Sequence, residues 1–420
     1  MPVIQISYFR LLVGVHLTTW LFNLQIIGFG SGANQLQKTI LFFTAVTMLF
    51  TRRVDKFVLS IVLAIFAVTF VAALATSYND FSFGRYLKSL FSLSAVLLLL
   101  PGLITENDRH FILKWFAWSP VACVAIGAMY NVVGLWPLWY QDFLGVSRLQ
   151  GSTIPSGLGG IGYIGTVAAL LASGLYNKKY LLLGAVNLVI LALSAARMPF
   201  AVAAMCSLVI FFHFHGRSFA RLYLSTIVLA MVCVAAYVAI GDKIAARFES
   251  ESASGRELIW EVLDSVVQQY PYFGIGLGHQ INIIPEDVME KTATFAAHNE
   301  YLRLAVETGY VGVTGIMILF AVVFFYMFMT RKYCRNPMFV VIVSSFFIYC
   351  YTDNVISSNM AVFVLVMAAS LSLGYGHRPA VPAQQPMSGG SRGQGRRIGP
   401  LNKGELGGRM TVLTAGGAQP

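Results

Sequence analysis

Four side chains stand where residue type and setting suggest chemistry. Arg256 lies in the first turn of an expected helix, where Ser254 and Glu257 make an S-x-x-E capping pair. A helix N-terminus disfavours a cation slightly. An arginine among free backbone N–H groups is nevertheless a good anion site. Pairing with Glu249, Glu251 or Glu257 is the alternative reading. Arg197 closes Ser194-Ala195-Ala196-Arg197 between two apolar runs. A guanidinium at a membrane edge must pair or snorkel, and it suits a lipid pyrophosphate at that depth. His298 opens His298-Asn299-Glu300-Tyr301-Leu302. An imidazole titrates near pH 6.5, so it can take a proton from a hydroxyl. A surface histidine at a helix start is the plainer reading. Glu307 could orient His298 or an acceptor, or could be a solvated interfacial carboxylate. Asn299 and Tyr301 are candidate substrate contacts. Arg148 and Arg85, in other loops, are weaker anion candidates.

The elements that hold these residues are set by composition. Of 420 residues, 57% are hydrophobic and 11% charged, against about 45–50% and about 25% in soluble domains. That excludes a soluble enzyme, a disordered chain and a nucleic-acid-binding module. Five scattered cysteines make no disulfide framework. A spanning helix needs roughly 20 apolar residues. Such runs fall near 9–28, 36–51, 57–75, 86–104, 111–133, 157–176, 179–194, 198–214, 222–241, 309–330, 337–352 and 355–374. The expected fold is therefore an all-α membrane protein of about 12 transmembrane helices. The first run has no small-residue cleavage site after it and reads as a retained helix rather than a signal peptide.

With the N-terminus inside, the short inner loops carry eleven Lys/Arg in 30 residues and the short outer loops five in 54. That asymmetry puts both termini on the cytoplasmic side. The expected organisation is a nine-span bundle over 1–241, an outer loop over 242–308, three further spans over 309–374, and a tail over 375–420. The tail has eleven Gly, five Pro and six Lys/Arg and reads as disordered. Much of the chain's net charge of +11 is in this tail and the inner loops, so it reports topology rather than a nucleic-acid partner.

The outer loop is the polar part, with eleven Asp/Glu and five Lys/Arg. Leu258, Ile259, Val262, Leu263, Val266 and Val267 share one helical face, opposite Glu261, Asp264, Ser265 and Gln268. Pro271 should end that amphipathic helix, and a second should start near His298. Ordered loops on rigid scaffolds carry sites. Gly274-x-Gly276-x-Gly278 follows no parallel-strand unit, so it is not a nucleotide fingerprint. His213-x-His215 lacks companion ligands. The glycines from Gly157 to Gly165 suit close helix packing. No acidic or His/carboxylate metal cluster appears in the outer loop, so neither a catalytic metal nor a cofactor is expected.

His298-Asn299, followed after nine residues by Gly309-Tyr310-Val311-Gly312, resembles the signature of the O-antigen ligase and polymerase superfamily. Gly255-Arg256-x-x-Ile259-Trp260, the phrase from Pro271 to Gly278, and Ser194-Ala195-Ala196-Arg197 are similar to further motifs of that superfamily. The resemblance implies metal-independent, inverting transfer at the periplasmic face of the bacterial inner membrane. The donor would be a glycan on undecaprenyl pyrophosphate. The acceptor would be a sugar hydroxyl on a second lipid-linked glycan (polymerase) or on lipid A core (ligase). Other glycan-export proteins are possible partners, and membrane lipid is one by location. Arg197 and Arg256 would hold the pyrophosphate and His298 would be the base. Ligases often carry Leu where this chain has Trp260, which tilts the expectation toward a polymerase of exopolysaccharide or O-antigen. A lipid-linked oligosaccharide flippase or transporter is the rival from another class, and a structural subunit of an export complex the third. Few ionisable residues lie well inside the spans, which disfavours translocation.

Overall fold

The computed structural model describes residues 8–30, 32–102, 104–141, 145–215, 256–292, 294–330 and 337–356. They lie in one compact unit, Met1–Tyr375. The candidate span 222–241, the capping Ser254, nearly all of the candidate span 355–374 and the tail lie outside the described residues.

Ten of the twelve apolar runs are helical: α1 (Tyr8–Leu21), α2 (Gly32–Thr51), α3 (Lys56–Ala75), α4 (Phe83–Leu97), α5 (Glu106–Val132), α6 (Pro155–Leu175), α7 (Tyr180–Leu193), α8 (Arg197–His215), α11 (Glu300–Met329) and α12 (Pro337–Cys350). Between α8 and α11 come α9 (Arg256–Gln269) and the short α10 (Glu286–Thr292). α3, α5, α6, α11 and the stretch Arg197–Phe214 of α8 are long and apolar enough to cross a membrane, and α7 and α12 are shorter apolar helices. The chain is thus a multi-pass, mainly helical membrane protein.

Local chemistry explains the helix starts. The Asp55 carboxylate accepts from the N–H groups of Phe57 (3.1 Å) and Val58 (3.3 Å) and caps α3. Thr105 and Asp108 cap α5 reciprocally. The same Asp108 accepts from Arg10 at 2.7 Å and pairs with Arg52, which ties α1, the end of α2 and the start of α5 together. α6 is the central helix and is almost wholly buried. Its Gly159, Gly162 and Gly165 face Ala196, Leu191 and Pro120 at distances that leave no room for a Cβ, as close packing of helices in lipid requires.

Two features have no counterpart in the twelve-span layout. Between α5 and α6, strands β1 (Trp139–Gln141) and β2 (Ser147–Leu149) pair antiparallel, with Tyr140 opposite Arg148. The second feature is the start of α11. The helix begins nine residues before the expected span and breaks at Gly309 (φ 67°, ψ 177°). In an unbroken helix the N–H groups of Tyr310 and Val311 would donate to the carbonyls of Val306 and Glu307. Here they donate to Pro271 (2.7 Å) and Tyr272 (3.3 Å). The freed carbonyls of Val306 and Glu307 accept from Ile275 and Gly276, each at 2.9 Å. The segment 271–276 is spliced into the break and satisfies the N–H and carbonyl groups that the break sets free.

Candidate functional site

α9 starts at Arg256 and ends before Pro271, burying Ile259, Leu263 and Val267 against a small cluster that includes Ile275, Ala297 and Val306. Its first turn faces the end of α12, where Arg256 donates to the carbonyl of Thr352 at 3.2 Å. Arg256 is half-buried. One residue on, the Asp353 carboxylate lies 3.3 Å from Nδ1 of His298. His298, Asp353 and Arg256 therefore meet across α9, the start of α11 and the end of α12.

His298 is held in a left-handed conformation (φ 48°). For a residue with a Cβ this costs roughly 1–2 kcal/mol, so neighbours must impose it. On one side, Trp260 donates its indole N–H to the buried carbonyl of Ala297 at 2.7 Å. On the other, Asn299 caps α11, its Oδ1 accepting from Tyr301 (3.1 Å) and Leu302 (3.2 Å). Trp260 also meets Tyr351 edge-on, with ring centroids 6.5 Å apart. The residue that departs from the ligase pattern thus braces both the corner before His298 and the segment that carries Asp353.

The histidine side chain is 25% exposed and Asp353 27%, so the imidazole is reachable from outside. Among the described residues, the hydrogen-bond partner of Nε2 is the Thr294 hydroxyl, at 3.5 Å. Burial alone would raise the Asp353 carboxyl. The hydrogen bond and charge of His298, the Asn354 N–H (2.8 Å) and the charge of Arg256 outweigh it and hold the group below the usual carboxylate range. An ionised Asp353 keeps a proton on Nδ1 and leaves Nε2 as the acceptor.

Arg197 is the exposed first residue of α8. The turn before it is also strained, with Ala195 at φ 51°. Arg148, brought in by the hairpin, donates to the carbonyl of Ser194 in that turn at 3.0 Å. Cys206 of α8 lies beside Ser345 of α12. From that level, Arg197 and Asp353 are each about two helical turns toward the same end of the bundle. The structure thus places both arginines and the histidine at one end, joins His298 to Arg256 through residues 352–353, and joins Arg148 to the Arg197 turn.

Glu307, Asn299 and Tyr301 are placed differently from His298. Glu307 is 2% exposed. It pairs with Arg303, which also pairs with the fully buried Glu300. Its other oxygen accepts from the N–H groups of Gly278 (2.9 Å) and Gln280 (3.4 Å). It anchors the glycine-rich turn, and the carboxylate beside His298 is Asp353. Tyr301 donates to the carbonyl of Phe347 on α12 at 2.8 Å, and Asn299 serves the cap. Sequence reasoning missed Asp353, Arg303 and the bracing role of Trp260. A lone carboxylate in the two-residue connection between the runs 337–352 and 355–374 was the available signal for Asp353.

His279 closes the base of the loop. It is fully buried, stacks on Phe81 at 5.1 Å and accepts from the Ser82 N–H at 2.8 Å through Nε2, with Nδ1 3.1 Å from the Gly276 carbonyl. Burial lowers its pKa against the two carbonyl contacts that raise it. Together with the bond from Thr76 to the Gly274 carbonyl (2.5 Å), it fixes the loop to the α3–α4 connection.

Residues 180–317, from α7 into the first half of α11, match the family model described as O-Antigen ligase. The match includes Arg197, Arg256, Trp260 and His298 and stops before Asp353. A search of curated proteins gave no match. A chain from the solved structure titled "Structural coordination of polymerization and crosslinking by a peptidoglycan synthase complex" overlays with a TM-score of 0.40 and 13% identity, over 76% of this chain and 97% of that one. That likeness is too slight to define a shared fold. The likeness to the O-antigen ligase family therefore falls on the segment that supplies Arg197, Arg256 and His298.

Proposed function

We propose that the protein transfers a glycan from undecaprenyl pyrophosphate to a sugar hydroxyl at the periplasmic face of the inner membrane, and that it polymerises exopolysaccharide or O-antigen repeat units. The observation that carries this reading is the His298–Asp353 pair beside Arg256, at the mouth of a membrane bundle. The acceptor hydroxyl loses its proton to Nε2 of His298, and its oxygen forms the new bond to the anomeric carbon. The bond from that carbon to the pyrophosphate oxygen breaks on the opposite face, inverting the centre. Asp353 keeps the imidazole in the accepting tautomer and stabilises the imidazolium as it forms. The departing pyrophosphate gains negative charge, and fixed guanidinium groups at Arg256 and Arg197 are suited to it, because preorganised charges often contribute most to lowering a barrier. Arg148 supports the Arg197 turn from the hairpin.

The test is transfer by purified protein given undecaprenyl-pyrophosphate oligosaccharide, with and without lipid A core. A ladder of longer lipid-linked glycans without core is the expected result. Product only when core is present would make the protein a ligase. No product from authentic donor with folded protein would overturn the transfer reading.

A further inference from the structure

The pair of His298 and Asp353 has a third side that the chemistry above leaves unused. Asp353 turns one carboxylate oxygen to the imidazole: Oδ1 accepts from the Asn354 N–H at 2.8 Å and lies 3.3 Å from Nδ1 of His298. Its other oxygen, Oδ2, accepts from the hydroxyl of Tyr349 at 3.3 Å. Tyr349 is in the last turn of α12 and is 2% exposed. Two other buried aromatic positions of α12, Phe339 and Phe346, fill the core without a hydroxyl. A phenol buried in such a row needs an acceptor inside the protein, and Asp353 is one.

The neighbours of the ring fix its direction. Tyr163 of the central helix α6 lies edge-on to it, with centroids 5.9 Å apart. Tyr163 is itself tied to Ser345, one turn before Tyr349, by a 2.5 Å bond between hydroxyls. The chain after Tyr349 is tightened: Tyr351 and Thr352 donate three residues back, to the carbonyls of Ile348 (3.2 Å) and Tyr349 (3.0 Å). An α-helix would send the Tyr351 N–H to Phe347 instead. The Phe347 carbonyl is taken by Tyr301 at 2.8 Å, so the end of α12 is fastened to the helix that His298 precedes.

A carboxylate bound through one oxygen can swing about its own axis, and one bound through both cannot. We propose that Tyr349 is the third member of the His298–Asp353 pair, a positioning residue whose hydroxyl pins Oδ2 of Asp353 so that Oδ1 is held for the imidazole and Nε2 faces the acceptor hydroxyl. The bearing on the reaction rests on the glycosyl-transfer reading. Tyr349 touches neither substrate nor the reacting atoms and acts through Asp353. As a neutral donor it also draws charge from the carboxylate, which tempers the hold of Asp353 on a protonated imidazole. A general base must release its proton after each transfer, so that tempering serves turnover as well as orientation.

Among the described residues, the other titratable groups facing the pair are Arg256 of α9, Glu300 of α11 and Cys350 of α12. Tyr349→Phe leaves all three, and the aromatic ring, in place. The test follows acylation of His298 by diethyl pyrocarbonate, which modifies neutral imidazole, against pH in the full chain in nanodiscs, read by peptide mass spectrometry. His279 has no exposure, so it should stay unmodified while each variant is folded. Without the phenol the carboxylate holds the imidazolium more firmly, and Tyr349→Phe should move the midpoint up by about half a pH unit or more. Added to Asp353→Asn, the same exchange should move it no further. Tyr163→Phe, which removes a comparable buried hydroxyl, should leave the midpoint where it is. The proposal is wrong if the Tyr349→Phe midpoint stays or falls, if the shift persists in the Asp353→Asn background, or if Tyr163→Phe matches it. In the elongation assay the acid limb of kcat/KM should move up with the midpoint, and a limb that ignores the shift refutes a role in the reaction. A chain that makes glycan but shows no shift keeps glycosyl transfer and loses the role of Tyr349. A shift in a chain that makes no product from authentic donor removes the transfer reading and keeps the three-residue arrangement.

Discussion

Replacing Trp260 by Phe isolates what holds His298 in place. The ring that meets Tyr351 is largely kept, and the single loss is the 2.7 Å hydrogen bond from the indole N–H to Ala297. That carbonyl belongs to a residue with no exposure. Leaving it without a donor costs about 1–3 kcal/mol. The left-handed conformation of the next residue stores roughly 1–2 kcal/mol. The bond and the strain are of similar size, so removing the bond lets the 297–298 corner relax and carries the imidazole away from Asp353. A loss of about 1.4 kcal/mol in the populated reactive geometry is about a tenfold loss of rate. In a lipid-linked glycan elongation assay, kcat should fall about tenfold with KM for donor unchanged. Undiminished kcat in the folded variant would refute the bracing argument. A raised KM with normal kcat would mean that Trp260 touches substrate instead.

Other perturbations have equally direct readouts. Asp353→Asn should lower turnover roughly 100-fold or more, because a neutral amide cannot stabilise the imidazolium; donor binding, counted by mass spectrometry, should persist. Gly309→Ala should destabilise the protein by about 3 kcal/mol or more in thermal unfolding, since ψ near 180° with positive φ is almost closed to other residues and the added Cβ would meet the Tyr272 carbonyl. Glu307→Ala should cost about 3 kcal/mol of stability by stripping a buried partner from Arg303; loss of activity without loss of stability would place Glu307 in the chemistry instead. His279 is held neutral below its ordinary pKa by burial, so between that lowered value and about 6.5 the unfolded chain binds a proton the folded chain refuses. Stability should therefore fall as pH drops from 7.5 to 5.5, and His279→Asn should flatten that part of the Tm profile.

The helical membrane class and ten helix positions were legible in the sequence, because the bilayer imposes a length and an apolarity that single segments must meet. The end of α9 before Pro271 followed from proline chemistry. Arg197, Arg256 and His298 were visible as candidates because each has an unusual type for its setting. What local pattern could not supply was the partner of each. Asp353 is 55 residues from His298 in the chain, and only the packing of α12 against α8 and α11 brings it near. Glu307 looked like the carboxylate to pair with the histidine. The helix that carries it turns it instead toward Arg303 and the glycine loop. The break at Gly309 shows the same division. The sequence marks a glycine there, but the reason for it is the strand of chain from Pro271 to Gly276 laid into the gap, and that is a contact between segments more than thirty residues apart. Periodicity and capping act over one or two turns, and so they are written locally. Ion pairs, strained corners and spliced backbone bonds depend on which surfaces meet, and only the folded bundle decides that.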